Sequence, residues 1–321
     1  MSRLLVCYEQ DLPSFNMKKK LLEKTEWKDL GSDGTNTYLS HDDMVLMTID
    51  GMHVHAEDAD RTAEDFGIKV DDIVVLSRHS SSSGKPTLTV HPIGNYKGND
   101  MGGKAETLVK ADPHLMSATL RRMSVLNKDP VYSVSFEVTH HGPFVSVPTM
   151  YIEIGSDGSH WGDETAAEVL VDSLLSADEK DYPVVIGIGG GHYAPRFTDL
   201  VLSGKVDMGH MIPNYQLQGS SDEDIARMIR SAAEASGTEL VYVHRNSMKG
   251  AEERRINSII DSLGLKRVTS KDFESMRVNE CSLDLLSEDC IPQFGEVPSV
   301  DHQDVDPALL CDLHAQRVEH R

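Results

Sequence analysis

The chain has 321 residues, with 31 Lys+Arg against 52 Asp+Glu and a formal charge of −21; that excludes nonspecific coating of nucleic acid, which rests on neutralising phosphates with Lys and Arg. A hydrophobic fraction of 39% beside 26% charged residues marks a globular chain able to bury a substantial core as one large domain or two ordinary ones. No apolar run reaches the roughly 20 residues of a membrane-spanning helix, charge at Glu9 comes too early for a signal peptide, and Cys7, Cys281, Cys290 and Cys311 form no CxxC pair, so a cytoplasmic protein without a disulfide framework or zinc ribbon is expected.

Apolar runs of strand length recur along the chain at Leu4–Tyr8, Met44–Ile49, Asp72–Ser77, Val131–Thr139, Met150–Ile154, Val184–Ile188 and Glu239–Val243. Helical periodicity lies between them, so the spacing predicts an α/β fold with a central mixed, largely parallel sheet flanked by helices. After the third run comes Ser77-Arg78-His79-Ser80-Ser81-Ser82-Ser83-Gly84-Lys85, then Thr89-Val90-His91. A strand ending in small hydroxyl residues and glycine, with cations beside it, is a common ligand loop in open sheets. The GxxxxGK[ST] spacing of a Walker loop is absent, and a flexible Ser/Gly linker is the competing reading.

The Val131–Thr139 run ends in His140-His141-Gly142-Pro143. Paired imidazoles at a strand end suit metal ligation or general-base chemistry near neutral pH. Glu153 then stands in an otherwise apolar strand, where burial without a partner is costly; it needs a metal, a histidine or a substrate amine, unless the strand is a solvated edge. A helix over Asp163–Ser176 is expected, capped by Asp163, with Ala166, Val169, Leu170 and Leu174 inward. Val184–Ile188 runs into Gly189-Gly190-Gly191-His192-Tyr193, where glycines allow close backbone approach to a ligand; GxGxxG and GxSxG are both absent. His210 follows in a turn-rich setting. Ser220 and Glu223 have capping-box spacing ahead of a stripe at Ile225, Met228, Ile229 and Ala232, closed by Gly237, and a further helix spans residues 250–263. Residues 276–321 hold ten acidic residues against three arginines. They read as a loosely structured extension to a single catalytic domain over 1–275, with possible docking turns at 283–286 and 308–311.

Taken together, Ser77-Arg78-His79-Ser80, Thr89-Val90-His91, Glu137-Val138-Thr139-His140-His141-Gly142-Pro143, Glu153-Ile154-Gly155-Ser156 with Trp161, Gly189-Gly190-Gly191-His192-Tyr193-Ala194-Pro195 and Gly209-His210 resemble the archaeal and plant type of D-aminoacyl-tRNA deacylase. The resemblance spans most of residues 1–275. It implies a cytoplasmic, zinc-dependent hydrolase that frees a D-amino acid from the 3′ end of tRNA, on a phosphorylase/hydrolase-like fold.

An aminoacyl ester is already activated, so such an enzyme must supply a water nucleophile, stabilise an oxyanion and hold the adenosine end. We assign His140, His141, Glu153 and His192 to catalysis and draw the metal set from these with His79, His91 and His210. Arg78, His79, Ser80, Ser81, Lys85, Lys104, Gly189, Gly190, Gly191, Tyr193, Lys249 and Arg254 are the substrate-binding candidates, with the Gly189–Gly191 backbone a candidate oxyanion or phosphate contact. The partner expected is tRNA, through its 3′ aminoacyl end and acceptor stem, with no membrane, and the protein is expected to be a monomer. Two competitors stand: a zinc amidohydrolase or peptidase on a small substrate, and a noncatalytic tRNA- or nucleotide-binding protein. The charge is uneven in a way that permits tRNA: residues 78–122 and 244–271 each hold seven basic side chains against three acidic ones. If the two segments meet, they form a local cationic track for an acceptor stem.

Overall fold

A computed structural model describes residues 2–275, so the expectations for 276–321 lie outside the described residues. The first half runs β1 (Arg3–Cys7), α1 (Leu12–Lys24), β2 (Lys28–Ser32), β3 (Thr37–His41), β4 (Met44–Thr48), α2 (Ala59–Asp65), β5 (Asp72–Arg78), β6 (Thr87–Pro92), α3 (Pro113–Leu126), β7 (Ser133–Phe136), β8 (Thr149–Gly155) and α4 (Glu164–Leu175). The second runs β9 (Val184–Ile188), α5 (Pro195–Ser203), β10 (Asp207–Ile212), α6 (Asn214–Leu217), α7 (Asp222–Ser236), β11 (Leu240–Val243), α8 (Gly250–Ser262) and β12 (Lys266–Val268).

The α/β architecture is as expected, but the strands divide between two sheets rather than filling one. The larger has the order β2-β3-β4-β1-β5-β8-β6-β7, the smaller β10-β9-β11-β12. In the larger sheet, β4-β1-β5-β8 and β6-β7 pair in parallel, while β2-β3, β3-β4 and β8-β6 are antiparallel. All pairs of the smaller sheet are parallel. Alternation sets the two faces: Leu5 and Cys7 of β1 enter one apolar core, Leu4 and Val6 the opposite one. One core joins the sheets, since Leu88 and Val90 of β6, Leu115 and Leu120 of α3, and Val185 and Met208 of the smaller sheet belong to it together.

The Val131–Thr139 run is a shorter strand than its composition predicts, because its end turns to the other sheet. The N–H groups of Val138 and Thr139 donate to the carbonyls of His192 and Met211 at 2.9 and 3.3 Å. That stitch carries the two following histidines into the seam between sheets.

Helix α4 starts as read, with Asp163 Oδ1 accepting from the N–H groups of Thr165 and Ala166 at 2.9 and 3.0 Å. Helix α7 starts one residue later than expected. Ser220 donates its hydroxyl to the carbonyl of Gln216 at 2.8 Å, closing α6, and Ser221 becomes the cap, accepting from Asp224 N–H at 3.1 Å. Ile225, Met228, Ile229 and Ala232 are fully buried as predicted, the larger three contributing roughly 1.5–3 kcal/mol each. Gly237, at φ +64°, ends the helix.

Candidate active site

Five chain segments deliver the site. β5 runs into His79, β6 carries His91, the stitch after β7 carries Glu137, His140 and His141, β8 carries Glu153, and the loop after β9 carries His192. Glu153 is not at an edge: β8 lies between β5 and β6, with Glu153 opposite Ser77 and Thr89. Its partners are therefore obligatory, and they are histidines.

Two fully buried carboxylates organise the cluster. Glu137 Oε2 lies 2.9 Å from His192 Nε2, 3.0 Å from His79 Nδ1 and 3.6 Å from His140 Nε2, while Oε1 accepts from Thr89 Oγ1 at 2.6 Å. Glu153 Oε2 lies 3.6 Å from both His79 Nδ1 and His91 Nε2. Burial alone would push both carboxyls up, yet hydrogen bonds from His192 and His79 with charge from His91 and His79 hold Glu137 well below the usual range, and hydrogen bonds from His79 and His91 hold Glu153 at about 2. His79 responds in the opposite sense: burial opposes its charge, but the two carboxylates push it up to about 11.

His140 and His141 are buried among other imidazoles. Desolvation, then the neighbouring rings, pull His140 well below its ordinary value, and desolvation with His91 takes His141 down to about 4. Both are neutral, and their tautomer follows from their partners. His140 Nδ1 donates to the carbonyl of Val138 and His141 Nδ1 to that of Gly142, each at 2.7 Å, since a carbonyl only accepts. His91 Nδ1 lies 3.2 Å from the carbonyl of Pro92. Each ring thus turns Nε2 toward its neighbours, and His91 Nε2 is buried without a hydrogen-bond partner among the described residues. Ligand atoms of His91, His140 and His141 lie within 4.8 Å of one another, as do those of His79, Glu137 and His192 and those of His91, Glu137 and Glu153. An orphaned imidazole nitrogen, two converging lone pairs and nearby carboxylates make a donor set that fits a metal ion.

The cluster forms one wall of a cavity of about 540 Å³ whose lining includes Arg78, His79, Ser80, His140, His141, Glu153 and His192. Arg78 is placed between Asp11, whose Oδ2 is 3.5 Å from its Nε, and the Trp161 ring, 4.9 Å below its guanidinium. Tyr193 Oη is 3.0 Å from His79 Nε2. Other expected residues stand elsewhere. His210 is no ligand: inside β10, its Nε2 donates to the carbonyl of Val109 at 2.8 Å and its Nδ1 faces Thr139 Oγ1 at 3.0 Å, so both nitrogens are engaged. Gly189 and Gly190 offer no oxyanion contact, because their N–H groups already donate to the Ile212 carbonyl at 2.8 Å and to Ser247 Oγ at 2.9 Å. Glycine is required there for another reason: at φ +107°, a Cβ on Gly189 would lie 2.6 Å from Ser247 Oγ. Gly191 alone of the three keeps its N–H for a ligand. Ser81 hydrogen bonds to Ser83 Oγ, Lys85 is exposed outside the lining, Lys104 stacks its ammonium 3.4 Å over Phe144, and Lys249 and Arg254 belong to the start of α8.

Glu137, quoted in the sequence only within a longer motif and given no role there, is the residue that the structure adds to the candidate site. The signal was available, since Glu137 interrupts the apolar run Phe136–Val138 as Glu153 interrupts Ile152–Ile154. Asn95, Tyr96 and Met101 also line the cavity from a loop without a local signature, as do Asp11, the N-cap of α1, and Gln216 of α6.

A family model described as D-aminoacyl-tRNA deacylase matches residues 66–268, which hold every member of the cluster. The chain is 36% identical over 282 residues to the D-aminoacyl-tRNA deacylase of Methanococcoides burtonii, covering 86% of this chain but 58% of that protein. It is 37% identical over 271 residues to the one from Methanosarcina mazei (82% of this chain, 90% of that protein) and 32% over 267 residues to the one from Thermoplasma acidophilum (83% and 99%). Among solved structures, a crystallised conserved protein of unknown function superposes with a TM-score of 0.77 at 31% identity, covering 85% of this chain and 98% of that one.

Proposed function

The chain belongs to the D-aminoacyl-tRNA deacylase family, and from that membership we propose that its histidine–carboxylate cavity hydrolyses the ester joining a D-amino acid to the 3′ end of tRNA. The observation that carries this reading is the convergence of His79, His91, His140 and His192 on two buried carboxylates, with His141 beside His91 and His140, at the wall of an open cavity. Cytoplasmic action as a monomer completes the proposal. Among the described residues no helix is long and apolar enough to cross a membrane.

Hydrolysis needs a base for water and an acid for the leaving oxygen. His192 is suited to both. Its side chain is 32% exposed, and its Nε2 donates to Glu137, which in the neutral ring leaves Nδ1 unprotonated. Glu137 fixes that tautomer and stabilises the imidazolium formed when Nδ1 takes a proton from water. The hydroxide equivalent adds to the ester carbonyl carbon, the bond to the ribose 3′-oxygen breaks, and His192 returns its proton to that oxygen. Tyr193 and His79 flank the reacting centre, and Gly191 N–H is the remaining backbone donor of its loop for the developing oxyanion.

The metal we assign is zinc, with His91, His140 and His141 holding it through Nε2 and Glu153 adjacent. When bound there, zinc polarises the ester carbonyl and lowers the pKa of water. The charge of the cluster supports this: two carboxylates are held ionised, and the compensation that His79 otherwise supplies as a cation can come from one divalent ion.

The test is deacylation of matched D- and L-tyrosyl-tRNA with and without a chelator, by wild type and by separate alanine variants at His140, His141 and His192. D-ester cleavage with the L-ester spared, lost on chelation and restored by zinc, is the expected result. Equal cleavage of both esters, or near-normal rates in all three variants, would overturn the assignment; indifference to chelation would remove the metal alone.

A further inference from the structure

In the smaller sheet β9 connects to β10 on one side and β10 returns to β11 on the other, so the carboxyl ends of β9 and β11 form a topological switch point, the usual crevice for ligands in open parallel sheets. The Gly189–Gly191 loop fills the middle of that edge, packed against Ser247 and His244. The histidine cavity takes up His192 from this edge. A second cavity of about 570 Å³ opens along the same edge, lined by Arg196, Arg245, Arg267 and Lys271 with Glu253 as the sole carboxylate among the described residues, and it includes none of the residues of the histidine cluster.

Two of these cations have no carboxylate partner among the described residues, and the other two carry more guanidinium N–H groups than their carboxylates take up. Arg196 is held by a neutral partner, its Nε donating to Tyr242 Oη at 2.9 Å, and has no ion pair among the described residues. Lys271 is exposed and likewise unpaired. Arg245 and Arg267 are anchored by Glu253 at 2.6 Å and by Asp261 at 2.9 and 3.1 Å, which orders their guanidinium forks and leaves further N–H groups for a ligand. On a chain of net charge −21 this is a local reversal of sign. The cavity has no exposed aromatic platform for a base, since Tyr242 is 5% exposed and lies beneath Arg196. Charge without a stacking surface fits a phosphodiester backbone rather than a free nucleotide.

We propose that the Arg196–Arg245–Arg267–Lys271 cavity anchors backbone phosphates of the tRNA acceptor arm while the 3′ end occupies the histidine cavity. The proposal rests on the deacylase reading, and it makes tRNA binding a two-point contact.

The test compares wild type with Lys271→Gln, which breaks no ion pair, and with the Arg245→Gln/Lys271→Gln double variant. Binding of uncharged tRNA is measured across salt concentrations, and kinetics are measured on D-tyrosyl-tRNA and on 3′-D-tyrosyl-adenosine, which has no acceptor arm. The expected result is a salt slope lowered by about one in the single variant and about two in the double, with roughly tenfold weaker tRNA binding in the latter. KM for D-tyrosyl-tRNA rises accordingly, while kcat and turnover of D-tyrosyl-adenosine stay at wild-type levels. Unchanged tRNA affinity and salt slope in the double variant would overturn the proposal. So would stabilisation of wild type, but not of the variant, by inorganic phosphate or AMP with tRNA affinity unaltered, which marks a small-anion site. Binding of uncharged tRNA is read without turnover, so failure of the deacylase reading shows separately, as wild type that cleaves no D-ester.

Discussion

His91 on β6 and His210 on β10 are both entirely buried histidines in strand interiors, yet their surroundings differ in one respect. His210 has each nitrogen matched, Nε2 to the Val109 carbonyl and Nδ1 to Thr139, whose own oxygen accepts from Met211 N–H at 2.9 Å. His91 leaves Nε2 orphaned beside Glu153 and within reach of His140 and His141. Burial and residue type are the same, so neither distinguishes a ligand from a structural histidine. An unmatched lone pair that points toward other donors does, because a buried polar atom without a partner is costly unless something else occupies it.

That contrast is broken first at Glu137. Glu137→Gln keeps the shape but cannot neutralise His79 or hold His192 as a base, and kcat on D-tyrosyl-tRNA should fall by about 10²–10⁴-fold with the fold intact by circular dichroism. A rate within a few-fold of wild type would remove Glu137 from the chemistry.

His210 should behave in the opposite way, carrying stability rather than rate. Desolvation lowers His210 from 6.5 to about 4, so between those values the unfolded chain binds a proton that the folded chain refuses. Stability contributed by the neutral ring is therefore full above about pH 6.5 and is lost as pH falls toward 4, by at most about 3 kcal/mol. Denaturant melts of wild type and His210→Gln across this window should show the variant less stable at pH 7 and with a flatter acid limb, while kcat per folded molecule is retained. A parallel limb would mean His210 does not report this linkage.

Gly189→Ala sharpens the comparison at the loop. Its positive φ and the 2.6 Å approach to Ser247 Oγ predict a loss of about 1–3 kcal/mol in thermal or urea melts, with residual activity tracking the folded fraction. The smallest effect separates two adjacent serines: Ser221→Ala should cost about 1 kcal/mol as the true cap of α7, and more than Ser220→Ala, whose half-buried hydroxyl closes only the single turn of α6. Reversal of that order in melts would restore the capping box read from the sequence.

Much of the site was legible because strand ends and buried charges leave local marks. Glu153 stood out as a carboxylate in an apolar run, and His79, His140, His141 and His192 each followed a run of strand length. What misled was assigning chemistry from local context where contacts are remote. His210 lies in β10 rather than in a turn, and its partners come from residues 109 and 139. The N–H groups of Gly189 and Gly190 are taken by residues 212 and 247. Helices α1 and α3 were not anticipated, although Asp11 with Pro13 and Asp112 with Pro113 carry cap signals.

By itself the sequence determined the α/β class, most strand positions, the faces of α4 and α7, and the residue types of a histidine-rich cluster, since alternation, helical period and caps act over a few residues. Only the tertiary structure decided that the strands form two sheets, that Glu137 joins Glu153, that His210 is structural, and that two basic segments of an acidic chain are used differently. Lys104 of the first covers Phe144, whereas Arg245, Arg267 and Lys271 of the second meet Arg196 in one cavity. The physical reason is range. A hydrogen bond or lone-pair match between residues tens of positions apart depends on register and crossover, which no local spacing encodes.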